Sequence, residues 1–295
     1  MNKKYSQDEY VSLINTYLET SIKDCTFGED IVHNAMRYSL GIGGKRIRPV
    51  LVFEFCRLCG GDINSALPFA AAIEMIHTYS LIHDDLPCMD DDDMRRGMPS
   101  CHKKFGEEYA LLAGDGLLTR AFGIIAESDI AKQSPEIAVK AICELSALAG
   151  ADGMIGGQVV DLRNEDKPCS LDVLQTMDSL KTGALIICAA RLGVFAAKGS
   201  ESELEAASLY AESLGHAFQI VDDILDVIGD EKELGKPIGS DAQSNKSTYV
   251  TILGIDKSKE YADTLTNKAI DCLEIFGDEA NFLRSLALSL ISRKN

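Results

Sequence analysis

Two stretches of this sequence are apolar on nearly every face of a helix, and each leads into aspartates. Over 66–83 the apolar positions are Leu67, Phe69, Ala70, Ile73, Met75, Ile76, Tyr79, Leu81 and Ile82; over 214–228 they are Leu214, Phe218, Ile220, Val221, Ile224, Leu225, Val227 and Ile228. A helix that is apolar all round belongs in the middle of a large domain, so both are expected to be central, with their polar residues lining an internal cavity. The first ends in Asp84-Asp85-Leu86-Pro87-Cys88-Met89-Asp90-Asp91-Asp92-Asp93, followed by Arg95-Arg96, and the second carries Asp222-Asp223-Ile224-Leu225-Asp226. Carboxylates at i and i+4 stand only about 5–6 Å apart on one helix face and repel each other. Two such clusters beside apolar runs point to a cation held between carboxylates. Hard oxygen ligands favour Mg²⁺, which keeps some of its waters and bridges to substrate phosphates.

The rest of the chain reads as helix. It has only seven prolines, and alternating β-branched strand patterns with hairpin turns are missing. Apolar residues at three- and four-residue spacing predict helices over 7–21, 30–40, 48–59, 65–86, 105–127, 134–163, 170–179, 182–198, 201–228, 247–253, 257–276 and 278–292. The expected breaks are Gly41-x-Gly43-Gly44, Gly60-Gly61, Pro99, Ser134-Pro135, Pro168 and Gly199. Residues 229–246 read as an irregular, mobile loop within the domain, because apolar helices continue beyond it. No internal repeat stands out, and the expectation is a single all-α domain over 1–295.

At 295 residues the chain is long enough to bury a sizeable core, and its 46% hydrophobic content excludes a disordered chain. A net charge of -17 argues against nucleic acid and anionic membrane as partners. Phosphate esters would be repelled too unless Mg²⁺ or a local basic patch intervenes, and the sequence offers both. The N-terminal residues Met1 to Tyr10 are polar with no signal-peptide core, no uninterrupted run reaches transmembrane length, and no stable membrane insertion is expected. Nine scattered cysteines fit reduced thiols and a cytoplasmic location. Cys56-x-x-Cys59, with Cys101-His102 as further ligands, admits a zinc reading. The pair lies in an apolar helical run (Val50 to Leu58) without a matching second pair, which favours packed core thiols.

Gln219, Asp222, Asp223 and Asp226 stand at 0, 3, 4 and 7 and so share one helix face. A solvated polar stripe is the bland alternative, weakened here by the apolar residues on the other faces. His77 lies two turns before Asp84 on nearly the same face, which favours a ligand-facing role over the structural one usual for a lone helical histidine. Asp84 ends a buried helix, and Pro87 is expected to bend the chain and bring Asp90 round; Asp91 to Asp93 read as a solvated loop. Arg95 and Arg96 offset this charge and present planar forks to phosphate. In Gly43-Gly44-Lys45-Arg46-Ile47-Arg48-Pro49 a glycine turn lets the backbone approach a phosphate, with Lys45 and Arg48 as the clamp. It is not a P-loop, and a helix-capping turn with surface charges is its bland alternative. Lys181-Thr182-Gly183, Gly235-Lys236 and Asn245-Lys246-Ser247 are weak singly; together they supply cations around a metal–diphosphate site.

With these residues assembled, the chain closely resembles the trans (head-to-tail) polyprenyl diphosphate synthases, nearest to the bacterial farnesyl type. The resemblance runs in order from Gly41 to about Ser247 through GGKRIRP (43–49), EMIHTYSLIHDDLPCMDDDDMRRG (74–97), CHKKFGE (101–107), LAGDGLL (112–118), GGQVVDL (156–162), KTG (181–183), FQIVDDILD (218–226) and LGKPIGSD (234–241). It implies an all-α, isoprenoid synthase-like bundle around a deep central cavity, and a reaction of ionisation, condensation and elimination. Asp84 and Asp90 on one wall and Asp222 on the other would bind three Mg²⁺ on an allylic diphosphate, supported by Asp85, Asp223 and Asp226. Arg95, Lys181, Lys236 and Lys246 would contact that diphosphate, while Lys45, Arg48, His77 and Arg96 hold isopentenyl diphosphate. Thr182 and Gln219 oxygens would stabilise the carbocation, and released pyrophosphate would be the base. A homodimer is expected from the family.

In this family an aromatic residue five positions before the first aspartate motif tends to stop growth at fifteen carbons; here it is Tyr79, followed by small Ser80. On an ideal helix Tyr79 points about 140° away from Asp84, and Ser80 lies more nearly beneath it. Farnesyl diphosphate is the expected product and geranylgeranyl diphosphate its rival. A class I terpene cyclase shares the first motif but normally lacks the isopentenyl clamp and has an Asn/Ser/Glu second motif. An inactive regulatory subunit would have lost ligands, and a His-Asp phosphohydrolase, suggested by His83-Asp84, would need a further histidine set.

Overall fold

The computed structural model describes residues 3–25, 30–165, 167–228 and 247–292, and its regular structure is almost entirely helical. Ser6 and Glu9 close a capping box, with Glu9 N–H donating to Ser6 Oγ at 3.2 Å and Ser6 N–H to Glu9 Oε2 at 2.8 Å, and this starts α1 (Gln7–Ser21). There follow α2 (Ile31–Gly41), α3 (Ile47–Leu58), α4 (Ile63–Asp84), a two-stranded hairpin of β1 (Met94–Arg95) and β2 (Met98–Pro99), α5 (Cys101–Phe105), α6 (Glu107–Ala126), α7 (Asp129–Gln133), α8 (Pro135–Ala149), α9 (Met154–Asn164) and α10 (Leu171–Asp178). A π-helical turn (Ser179–Gly183) joins α10 to α11 (Ala184–Ala196); then come α12 (Glu201–Ile228), α13 (Tyr249–Leu253), α14 (Ile255–Asp271), a 3₁₀ segment (Glu274–Ala280) and α15 (Asn281–Ser292).

Several boundaries correct the sequence expectations. The helix expected over 134–163 is two, because Gly150 and Gly153 turn the chain and a Cβ at Gly153 would overlap the Leu148 carbonyl. The one expected over 105–127 breaks at Gly106, whose φ of 99° lies outside helical space. The helix α7 was not foreseen; Ser128 caps it, accepting from Ala131 N–H at 3.1 Å. A hairpin is present where none was read. Arg96 and Gly97 both have positive φ (53° and 78°), the requirement of the two-residue turn that matches strand twist. Glu107–Ala126 and the continuous helical run Leu171–Ala196 are long and apolar enough to cross a membrane by length and composition, although charges such as Asp115 and Arg120 in the first and Asp178 and Lys181 in the second interrupt the apolar run of each. The second runs unbroken because the π turn carries the helix through Lys181; it is 67% buried.

The chain divides into two compact units, Met1–Glu144 with Leu192–Gly199 and Leu145–Arg191 with Ser200–Asn295. In the first, α4 packs between α3 and α6, with Phe69, Ile73, Met75 and Ile76 fully buried. Each such side chain contributes about 1.5–3 kcal/mol of transfer free energy. In the second, α12 packs on α14 and α13, and Ile220, Val221, Ile224 and Leu225 close a core with Leu174, Tyr249 and Ala262. Val227 and Ile228 are exposed at the end of α12, so its apolar surround stops one turn short of the helix end.

The thiol of Cys56 is buried, faces the Asp62 carbonyl at 3.5 Å and is pushed by burial, with a smaller contribution from Asp62, up to about 12. It is a core thiol, and none of the nine cysteines forms a disulfide.

Candidate active site

In the first unit the aspartate motif begins where α4 ends. Beyond Asp84 the backbone curls tightly: Leu86 N–H reaches the His83 carbonyl, Met89 N–H the Leu86 carbonyl, and Asp90 N–H the Asp84 carbonyl at 2.8 Å. Asp84 and Asp90, six residues apart in sequence, thus become backbone neighbours, Asp84 half-buried and Asp90 exposed. Asp85 is buried and takes the Arg95 guanidinium, Nε lying 3.0 and 3.3 Å from its two oxygens with Nη2 also on Oδ1. Arg95 Nη2 reaches Asp92 at 3.2 Å as well. Arg95 is therefore tied to carboxylates of its own motif. Burial raises the Asp85 carboxyl even though Arg95 opposes this.

Arg96, at the hairpin tip, turns the other way. Its Nη1 donates to the Gly43 carbonyl, and a Cβ on Gly44 (φ 127°) would overlap the guanidinium. This close approach, which brings RRG (95–97) against GGKR (43–46), requires glycine at 44, while a φ of 89° favours it at 43. Arg46 anchors the turn from inside. In a left-handed conformation (φ 50°), it pairs with buried Glu74 at 2.5 Å, donates through Nε to Asn15 Oδ1 at 3.0 Å and through Nη2 to the Leu40 carbonyl at 2.5 Å. Lys45 is exposed, and Arg48 is half-buried with its Nε shielded from solvent and without a hydrogen-bond partner among the described residues. Burial lowers His77 well below the ordinary imidazole value, reinforced by Arg48, Arg96, Arg46 and Arg95, so His77 is neutral at pH 7. Burial also lowers Arg48, with Arg96 adding to the effect.

Tyr79 is buried, its hydroxyl has no hydrogen-bond partner among the described residues, and burial with the Asp84 charge pushes it up to about 12. Its ring meets His83 edge-on at 5.6 Å, and His83 Nε2 lies 3.1 Å from the Leu111 carbonyl. A Cβ on Gly114 would overlap the His83 imidazole, which accounts for the first glycine of LAGDGLL (112–118). Ser80 is half-buried, and its hydroxyl donates back to the His77 carbonyl at 2.9 Å.

In the second unit α12 presents Gln219 and Asp222 half-buried, with Asp223 and Asp226 buried. Asp223 Oδ2 accepts the Tyr249 N–H at 2.8 Å, so this carboxylate caps α13 from a neighbouring helix. Gln219 Nε2 and Asp223 Oδ1 are 3.5 Å apart, as are Thr182 Oγ1 and Gln219 Oε1. Lys181 and Thr182 lie on the π turn, and Lys181 Nζ pairs with Asp161 at 2.5 Å. A Cβ on Gly157 would overlap the Lys181 backbone, so GGQ (156–158) packs directly on KTG (181–183). Lys236 and Lys246 lie outside the described residues.

The carboxylates of both motifs are hard oxygen donors, with Asp90 exposed, Asp84 and Asp222 half-buried, and Asp85, Asp223 and Asp226 buried; this donor chemistry fits Mg²⁺. The polyprenyl synthetase family model matches residues 29–275. The chain belongs to that family. It is 47% identical over 90% of its length to a heterodimeric geranylgeranyl pyrophosphate synthase large subunit of Arabidopsis thaliana, covering 72% of that protein. It is 44% identical to the farnesyl diphosphate synthase of Escherichia coli over 96% of each chain. An FPP/GFPP synthase from Zymomonas mobilis superposes with a TM-score of 0.86 at 35% identity, over 97% of both chains. This polyprenyl synthetase is thus an all-α prenyltransferase of isoprenoid diphosphates.

Four residues of this polyprenyl synthetase escaped the sequence reading. Glu74, at the start of EMIHTYSLIHDD, holds Arg46, and Asp161 holds Lys181. Asp178 and Tyr249 face Asp223; Asp178 is buried, and burial, then the Asp223 charge, raise it to about 7. A signal was available in part: Asp161 and Asp178 are charges on helices whose neighbouring turns carry Lys181.

Proposed function

We propose that this polyprenyl synthetase condenses isopentenyl diphosphate with dimethylallyl and geranyl diphosphates to farnesyl diphosphate in a Mg²⁺-dependent reaction. Asp84, Asp90 and Asp222 are assigned as metal ligands, with Asp85, Asp223 and Asp226 in support. When bound, three Mg²⁺ would neutralise the allylic diphosphate and make it a leaving group. The allylic C–O bond breaks, the isopentenyl double bond forms the new C–C bond, and a proton leaves to pyrophosphate.

The observation that carries this reading is the joining of Arg96 to the Gly43–Gly44 turn beside Lys45, Arg48 and His77. A terpene cyclase has no second diphosphate for such a cluster to hold. Lys45, Arg48 and Arg96 bind the isopentenyl diphosphate, and neutral His77 adds a hydrogen bond without further cation repulsion. Lys181, together with Lys236, Lys246 and an Arg95 shared with Asp85, serves the allylic diphosphate. Thr182 and Gln219, within reach of each other, offer oxygens to the carbocation.

Tyr79 supports the fifteen-carbon product, as a buried ring with a carboxylate for neighbour. The geranylgeranyl product is the second reading, favoured by the packing of Tyr79 on His83, which leaves small Ser80 on the Asp84 side of α4. A reaction with Mg²⁺, isopentenyl diphosphate and dimethylallyl diphosphate, resolved by product length, separates the two. The chain is further proposed to act as one polyprenyl synthase domain over 1–295, since the family match runs through both units, and as a cytoplasmic homodimer without membrane insertion. Light scattering on the purified protein tests the dimer.

A further inference from the structure

Asp91, Asp93 and His102 are brought together at the base of the β1–β2 hairpin. Asp91 turns the chain with a φ of 49°, and Ser100 N–H donates to the Asp93 carbonyl at 2.9 Å, closing the hairpin so that His102, on the first turn of α5, faces both carboxylates. One oxygen of each aspartate and one His102 ring nitrogen all lie within 4.8 Å of one another. The imidazole is buried, its side chain only 3% exposed. Its Nδ1 is engaged by Ser100 Oγ at 3.1 Å, while Nε2, shielded from solvent and without a hydrogen-bond partner, stands 3.9 Å from Asp91 Oδ1.

A buried ring nitrogen left unpaired is costly. With Nδ1–H donating to Ser100 Oγ, Nε2 bears a lone pair aimed at two carboxylates, the orientation a metal-ligating histidine receives from its partner on the other nitrogen. Ligand distances of roughly 2.0–2.2 Å put opposed donors about 4 Å apart, so small rotations of the exposed aspartates close the observed spacing around an ion. One imidazole with two carboxylates suits Mn²⁺, Co²⁺ or Zn²⁺ better than Mg²⁺. Lys103, with Nζ 2.8 Å from Asp93 and 3.9 Å from Asp91, holds that place as a competing cation, on a long, partly exposed side chain able to swing away.

We propose that Asp91, Asp93 and His102 form a separate divalent transition-metal site. An ion there would pin the base of the hairpin whose strand holds Arg95 on Asp85 and whose tip holds Arg96 on Gly43. The proposal rests on these three residues and is independent of the prenyl-transfer reading.

The test is Co²⁺ titration of the full chain without diphosphate, followed by absorption and calorimetry, in an Asp84→Asn/Asp90→Asn/Asp222→Asn background that removes the three aspartates assigned to Mg²⁺. One equivalent of Co²⁺ should bind, with affinity falling by at least about tenfold on Asp93→Asn or on His102→Gln, and rising on Lys103→Met. Asp93 is exposed, so Asp93→Asn decides the matter if His102→Gln fails to fold. The proposal is overturned if no stoichiometric binding occurs in that background, or if Asp93→Asn binds Co²⁺ as the background does.

Discussion

The buried pair of Arg46 with Glu74 should hold up the basic turn, and replacing Glu74 tests this. Both side chains are only 3% exposed at 2.5 Å, so Glu74→Met leaves a guanidinium buried without its counter-charge. Breaking a buried pair from one side costs about 3–5 kcal/mol, and for a unit of this size the thermal midpoint should fall by roughly 6–20 °C. Removing both charges in Arg46→Met/Glu74→Met should cost much less. What remains lost are the Arg46 bonds to Asn15 and the Leu40 carbonyl, about 1 kcal/mol each. A double-mutant cycle by urea unfolding, followed by circular dichroism, should therefore give a coupling of about 2 kcal/mol or more. The folded double variant also separates structure from function. With the 43–48 turn loosened, KM for isopentenyl diphosphate should rise while that for the allylic substrate holds. A Glu74→Met cost below about 1 kcal/mol, or a coupling near zero, would refute the claim that this pair carries the turn.

Three further outcomes are expected. Gly114→Ala should destabilise the chain by about 1–3 kcal/mol, since the new Cβ meets the His83 imidazole; a denaturation midpoint equal to that of wild type would show that His83 can yield. Tyr79→Ala should shift product toward twenty carbons or more by chromatography, and an unchanged product spectrum would place the pocket floor elsewhere. Asp178, raised to about 7, holds its proton in the folded chain at pH values where the unfolded chain has lost it. Its stabilising contribution is therefore full below about pH 4 and is lost as pH rises through 7. Asp178→Asn should gain on wild type by a few kcal/mol between pH 5 and pH 8 in urea unfolding with chelator present, and parallel pH profiles for the two proteins would contradict the assignment.

Much of the fold was legible because long apolar runs and strong caps leave few alternatives; α12 was read with its observed bounds. The misses have local causes. Gly150 and Gly153 break a helix through backbone conformation, which apolar spacing does not register, and α7 is short enough that its Ser128 cap is its main signal. The Arg96-Gly97 turn was read for its charge, although an X-Gly pair between short extended segments is also a hairpin signal. Among the site residues, helix spacing placed Gln219, Asp222, Asp223 and Asp226 on one helix, and only coordinates show Asp223 capping α13. Asp91 and Asp93, read as solvated loop, are paired with Lys103 and faced by His102, a contact set by chain reversal at the hairpin.

The central claim is that the aspartates of both motifs bind Mg²⁺ for head-to-tail prenyl transfer. Its most direct test is the rate of condensation of isopentenyl diphosphate with dimethylallyl diphosphate, measured for wild type, Asp84→Ala and Asp222→Ala with Mg²⁺ or with chelator. The account predicts a linear prenyl diphosphate from wild type with Mg²⁺ only, and loss of that product in each variant while circular dichroism stays helical. Turnover near wild type in either variant, full activity in chelator, or release of a cyclic hydrocarbon would contradict it.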